Sequence, residues 1–170
     1  PGATGRHTGL LQAANEGTLF LDEVGDMPLD MQARLARVLR DFRVRPLGSN
    51  EDIQVDVRLI AASQHDLQDM VERGEFREDL FYQLKVVPLQ IPALADRRDD
   101  IPVLIDHFLS ELAVRGQGTR KRFSPDALRH LVACDWPGNV RQLRNVVEHC
   151  HVLSSANVIP LGLVEEAVSR

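Results

Sequence analysis

Cysteine is nearly absent: the 170 residues hold two, Cys134 and Cys150. Two distant cysteines build no disulfide framework, so a reducing cytoplasmic setting is expected. No apolar run approaches the roughly 20 residues that a membrane span requires, so no membrane partner is expected. The first residues carry no charged-then-apolar secretion pattern. A basic surplus is also lacking. The formal net charge is -5, which excludes a generally nucleic-acid-coating protein and leaves room only for a local basic patch. No serine sits in a G-x-S-x-G elbow, so serine hydrolysis has no support. No C-x-x-C pair gives the spacing that a zinc site wants. Cys150, next to His149 and His151, falls on the apolar stripe Leu143, Val146, Val147, Cys150 and Leu153, so it reads as a small core residue. His130 and Cys134 lie one helical turn apart without further ligands at fixed spacing.

What is present divides in two. The chain opens on a Gly- and Thr-rich loop. Thr18 to Asp22 is a short apolar run ending in acids, the pattern of a buried parallel strand. Asp26 and Pro28 supply a helix start, and Met31, Leu35, Val38, Leu39 and Phe42 follow at helical spacing as its buried face. Arg45 to Asp52 is turn-like, and Val55 to Ser63 reads as a second strand. Asp66 caps a short helix that Gly74 closes. Arg77 to Leu84 reads as helix, and Val86 to Ile91 as a third strand ended by Pro92.

From Asp99 onward no strand is expected. Ile101, Leu104, Ile105, Phe108, Leu109 and Leu112 form a helix stripe. Arg115 to Arg122 reads as a flexible basic linker, more in keeping with a solvated connection than with a nucleic-acid contact. Ser124-Pro125 is an N-cap followed by proline at the first helical position. Trp136 to Asn139 is a turn that aims a long helix, Val140 to Leu153. Leu161 to Val168 is a last helix.

Asp22 and Glu23 close the first strand. Open parallel sheets bind ligands at the carboxyl ends of their strands. An Asp there can hold Mg²⁺, and a neighbouring Glu can polarise an attacking water. Alone, such a pair is a modest signal. It stands in longer company. Gly17 to Pro28 reads Gly-Thr-Leu-Phe-Leu-Asp-Glu-Val-Gly-Asp-Met-Pro, close to the segment GTLFLDEIGDMP. Phe76 to Tyr82 matches the start of FREDLFYRL, and Trp136 to Leu143 matches WPGNVRQL. On these motifs the chain resembles the AAA+ ATPase domain of sigma-54-dependent transcriptional activators, the bacterial enhancer-binding proteins of the nitrogen-regulatory-protein-C type.

The resemblance implies an α/β fold. Residues 1–95 would be the C-terminal part of an AAA+ P-loop NTPase α/β subdomain with a parallel sheet, and 96–170 an all-helical lid. It implies ATP and Mg²⁺ as cofactors, with Asp22 positioning the metal and Glu23 activating the hydrolytic water. Ser63 and Gln64 stand at sensor I, where the family usually has Thr followed by Asn or His. Arg77 matches the first arginine of the arginine-finger region, which reaches the nucleotide of a neighbouring subunit. Its alternative is a salt bridge with a nearby acid. Gln83 replaces the second arginine and cannot supply its charge. Arg141 matches sensor II. The implied partners are the sigma-54 RNA polymerase holoenzyme and further copies of the chain in a ring, hexamer-like, with enhancer DNA bound by a domain outside this chain.

The phosphate-cradling loop G-x-x-x-x-G-K-[ST] occurs nowhere in the sequence. Its absence is expected to cost most of the nucleotide affinity of these residues alone. Gly2 and Ala3 fall on the last letters of the family's sigma-contacting GAFTGA motif, with Pro1 in place of its threonine. The loop around Leu47 to Asn50 would be a second sigma-contacting insertion. The α/β part would lack its first strands and expose a sheet edge. An isolated oligomerisation or docking module with an AAA+ lid is the alternative reading. Another AAA+ machine, such as a helicase loader, is disfavoured by the flanks of the acidic strand.

Overall fold

The computed structural model describes residues 9–45, 51–115 and 120–169. Gly2, Ala3 and the stretch Leu47 to Asn50 lie outside the described residues. Two compact units divide the chain, Pro1–Leu89 and Gln90–Arg170.

In the first unit, a short helix α1 (Leu10–Ala13) leads into strand β1 (Gly17–Leu21). The next helix, α2 (Leu29–Asp41), is followed by β2 (Arg43–Val44), β3 (Ile53–Gln54) and β4 (Val57–Ala61). Strands β1 and β4 pair in parallel, Gly17 opposite Val57 and Leu21 opposite Ala61. Strands β2 and β3 form a two-residue antiparallel ribbon at the base of the polar turn. Helix α3 (Leu67–Glu72) follows, and α4 (Glu78–Leu84) ends the unit's regular structure. Asp66 caps α3 as its sequence predicts, accepting from the Gln68 and Asp69 amides at 2.8 and 3.3 Å. Gly74, at φ 72°, takes the left-handed turn after it, where a Cβ would be strained.

Two expectations are corrected here. On α2 the predicted stripe holds at Leu39, with Leu35 and Phe42 packed against the same cluster, but Met31 is 46% exposed and Gln32 and Ala36 are buried in addition. The helix turns a glutamine inward because backbone partners await it. Val86 to Ile91 is not a strand: Val86, Val87, Leu89 and Ile91 are all strongly exposed. Alternating apolar residues make a strand only where a ladder is available, and among the described residues none pairs with them.

The second unit is helical: α5 (Asp100–Val114), α6 (Pro125–Ala133), α7 (Asn139–Leu153) and α8 (Leu161–Val168). Ile101, Ile105, Phe108, Leu109 and Leu112 of α5 pack with Leu131, Leu143, Val147, Cys150 and Val164 in one core. Each such side chain, fully buried, contributes about 1.5–3 kcal/mol. Ser124 Oγ accepts from the Ala127 amide at 3.3 Å, with Pro125 in the first turn of α6. The expectation of no strand is refined by β5 (Arg122–Phe123) and β6 (Val158–Ile159), two residues each and parallel. Such pieces are too short to show a period.

The basic stretch before α6 is also not a free linker where it is described. Arg120 pairs with Asp106 at 2.6 Å and Arg115 with Glu111. The Lys121 ammonium donates to the His151 and Ser154 carbonyls at the end of α7, where a cation suits the helix dipole.

Candidate functional site

The β1–β4 ladder continues past the strand ends. The Ala62 amide donates to the Leu21 carbonyl at 2.8 Å, and the Val24 amide to Ala62 at 2.9 Å. Asp22-Glu23 and Ala62 to Gln64 therefore leave the sheet side by side. Asp22 is exposed, and its Oδ1 accepts from the Glu23 amide at 3.1 Å. Glu23 sits in the left-handed region at φ 51°, uncommon for a residue with a side chain. The Gln64 amide donates to Glu23 Oε2 at 3.3 Å, and the Gln64 side-chain NH₂ donates to Oε1. So Gln64 grips both oxygens of the Glu23 carboxylate.

Ser63 is turned elsewhere. Its hydroxyl donates to the His65 carbonyl at 3.0 Å and accepts from the His65 amide at 3.1 Å. Gly25 lies against it: a Cβ at Gly25 would stand 2.8 Å from Ser63 Oγ and 3.3 Å from Met70 Sδ. A side chain at Gly25 would force Ser63 or Met70 to shift. His65 Nε2 lies 3.3 Å from Asp26 Oδ1, a contact that links the two exits and that sequence reasoning did not single out.

Arg77 stands just before α4. Its guanidinium makes two parallel bonds to Asp79, at 3.0 and 2.9 Å. That hydrogen bond, then the opposite charge, holds the Asp79 carboxyl below its usual range and raises Arg77. The pair is roughly 40% exposed, 43% and 37%, so solvent screens it. The salt bridge weighed against the finger role is thus the contact formed here. Gln83 is half-buried, and its Oε1 has no partner among the described residues.

Arg141 belongs to the second unit and is exposed in the first turn of α7. A cation there is disfavoured by the helix dipole. The turn before it is pinned by hydrogen bonds. Trp136 and Asn139 both take positive φ, at 51°. Trp136 is 2% exposed and donates from Nε1 to the Leu131 carbonyl at 2.8 Å. Asn139 Oδ1 accepts from the Leu94 amide at 2.8 Å.

The largest omission of the sequence reading is Gln32. It is fully buried, and its side chain bonds the Met27 carbonyl, the Glu75 carbonyl and the Arg77 amide. A glutamine amid helical polar residues gives no signal of this.

Comparison with known proteins decides the family. The family described as the sigma-54 interaction domain matches residues 1–90. The chain belongs to the sigma-54 interaction domain family. The AAA+ ATPase lid domain matches residues 95–170. Among the relatives of this chain is the transcriptional regulatory protein GlrR of Escherichia coli. It is 54% identical over 167 residues, covering 98% of this chain and 38% of that protein. The DNA-binding transcriptional regulator NtrC of Azospirillum brasilense is 46% identical over 164 residues, 96% of this chain and 34% of the other. The crystal structure of NtrX from Brucella abortus in complex with ADP superposes with a TM-score of 0.88 at 40% identity, covering 95% of this chain and 38% of that one. The chain thus spans less than two fifths of the length of these relatives. Its fold is the α/β arrangement followed by a helical lid that the resemblance implies. No helix among the described residues is long and apolar enough to cross a membrane.

Proposed function

We infer that this chain is part of a ring ATPase that couples ATP hydrolysis to remodelling of the sigma-54 RNA polymerase closed complex. Residues 1–95 serve as the later part of its nucleotide-binding subdomain and 96–170 as the lid. The observation that carries the reading is the Glu23 carboxylate, clamped through both oxygens by Gln64 at the carboxyl end of a parallel strand. Gln64 orients this carboxylate, and its role in this reading is to accept a proton from an attacking water.

Asp22 fits a magnesium ion: it offers an exposed hard oxygen donor beside Glu23. When bound, the ion would neutralise charge on the transferring phosphate. Gln64 orients Glu23 and reports on it. Ser63 shapes the turn that carries Gln64. Arg77 leaves Asp79 to fork onto phosphate oxygens in the neighbouring subunit's site, as its planar charge suits it to do. Arg141, held out by the Trp136–Asn139 turn, senses phosphate from the lid. Gly2 and Ala3 belong to the loop that engages the sigma factor. NtrX is known with ADP and with ATP, which supports a nucleotide as this chain's ligand.

In the full-length protein, Glu23→Ala should cut ATP turnover by about 10²-fold or more while leaving nucleotide binding intact. Normal turnover in that variant would overturn the role of Glu23. A second reading applies to these 170 residues taken alone, which contain no phosphate-cradling loop. They act as a docking and oligomerisation module and should show no ATP binding by calorimetry at micromolar concentration.

A further inference from the structure

Among the described residues of the first unit, Gln32 is the one polar side chain that is completely buried. It lies in the first turn of α2, and each of its bonds goes to backbone. Its NH₂ donates to the Met27 carbonyl at 2.7 Å and to the Glu75 carbonyl at 3.1 Å. Its Oε1 accepts from the Arg77 amide at 2.8 Å. Met27 ends the turn that follows Asp22 and Glu23. Glu75 and Arg77 belong to the loop from which the arginine projects. One amide group thus joins the exit of the acidic strand to the arginine loop, whose Arg77 lies 45 residues beyond Gln32.

A glutamine can do this and its near relatives cannot. Two carbonyls must receive donors and one amide must receive an acceptor, at one buried point. Glutamate has no donors when ionised, and methionine fills the space with neither. Leaving the three backbone groups unmet in the interior is costly, and the cheapest relief is movement of the loop that carries them.

We propose that Gln32 is a positioning residue for Arg77: it fixes the arginine loop against the acidic turn, so that the guanidinium reaches the neighbouring subunit's nucleotide. This rests on the two-sided site proposed above. Its effect is therefore exerted in trans, on the next subunit, although Gln32 itself sits beside the acids of its own.

That directionality makes the test. In full-length protein, Gln32→Met should form rings by gel filtration, bind nucleotide normally, and lose roughly tenfold in kcat with KM little changed. When it is mixed with an excess of Glu23→Ala subunits, turnover per Gln32→Met subunit should recover at least fivefold. In such rings the acids of Gln32→Met face an Arg77 whose own Gln32 is intact. A purely structural or acid-side role predicts no recovery, and that result would overturn the proposal. The companion mixture, Arg77→Ala with Glu23→Ala, should also recover. Its failure would overturn the trans arrangement itself, and this inference with it.

Amide hydrogen exchange supplies a readout free of turnover. In Gln32→Met the Arg77 amide should exchange at least tenfold faster while the amides of α3 stay unchanged. Unaltered exchange at Arg77 counts against the role. If Gln32→Met does not assemble, Gln32→Glu, which keeps the acceptor for Arg77, takes its place in the same mixtures. Failure of both to assemble would make Gln32 a folding residue and overturn the proposal.

Discussion

In the second unit, all four helices send side chains into one cluster, from Ile101 on α5 to Val164 on α8. In the first, the buried cluster is small, Ala36, Leu39, Met70, Phe76, Leu80 and Phe81. Phe20 and Ile60 on the paired strands are 56% and 44% exposed, and Val87 and Leu89 are 74% and 89% exposed. The difference teaches where each half draws its order. The lid gathers its apolar faces into one continuous core, although Val103, Val114 and Val152 stay exposed. The α/β half holds its site with specific hydrogen bonds, those of Gln32 and Gln64, over a surface still partly apolar.

The contrast is broken or sharpened first by cavity mutations. Leu143→Ala in the lid core should lower stability by about 2–5 kcal/mol, toward the upper end because the close-packed helices cannot collapse around it. Trp136 is the only tryptophan and is buried in that unit, so its fluorescence during urea unfolding reports the loss. Leu80→Ala, equally buried, should cost less in the open α/β half, by amide exchange. Equal costs would dissolve the contrast.

A smaller effect comes from pH. Burial pushes the Cys150 thiol up from 9.0 to about 11. The native lid thus favours the neutral thiol more than the unfolded chain does. That preference stabilises fully below the ordinary thiol value and is lost as pH rises toward 11. Lid stability should fall across that window by on the order of 1–2 kcal/mol, and Cys150→Ala should flatten the slope. A wild-type slope unchanged by the substitution would contradict it.

The smallest effect on stability is expected at the exposed apolar residues. Val87→Ser with Leu89→Ser should change the unfolding free energy by less than about 0.5 kcal/mol per site. Light scattering should show less self-association. A large stability loss would mean that this stretch is packed in solution.

What the sequence disclosed follows the same divide. The caps at Asp66 and Ser124 were legible because a cap is local: the side chain bonds amides two or three residues away. The α5 stripe was legible because one continuous core gives it a clean period. Val86 to Ile91 misled, since its pattern says strand and only a ladder can make it one. Gln32 was opaque for the opposite reason: its partners lie up to 45 residues off. At the site, Asp22 and Glu23 stood out by position, but the grip of Gln64 on Glu23 depends on how β1 and β4 pair, and no local pattern encodes that register.

The backbone of Glu23 has one more consequence. A side chain at φ 51° sits on a conformation that glycine occupies freely. The fold therefore carries tension at the very residue proposed to handle water. Selecting variants for thermal robustness alone would drift toward relieving it, and toward proteins that outlast the original while doing nothing.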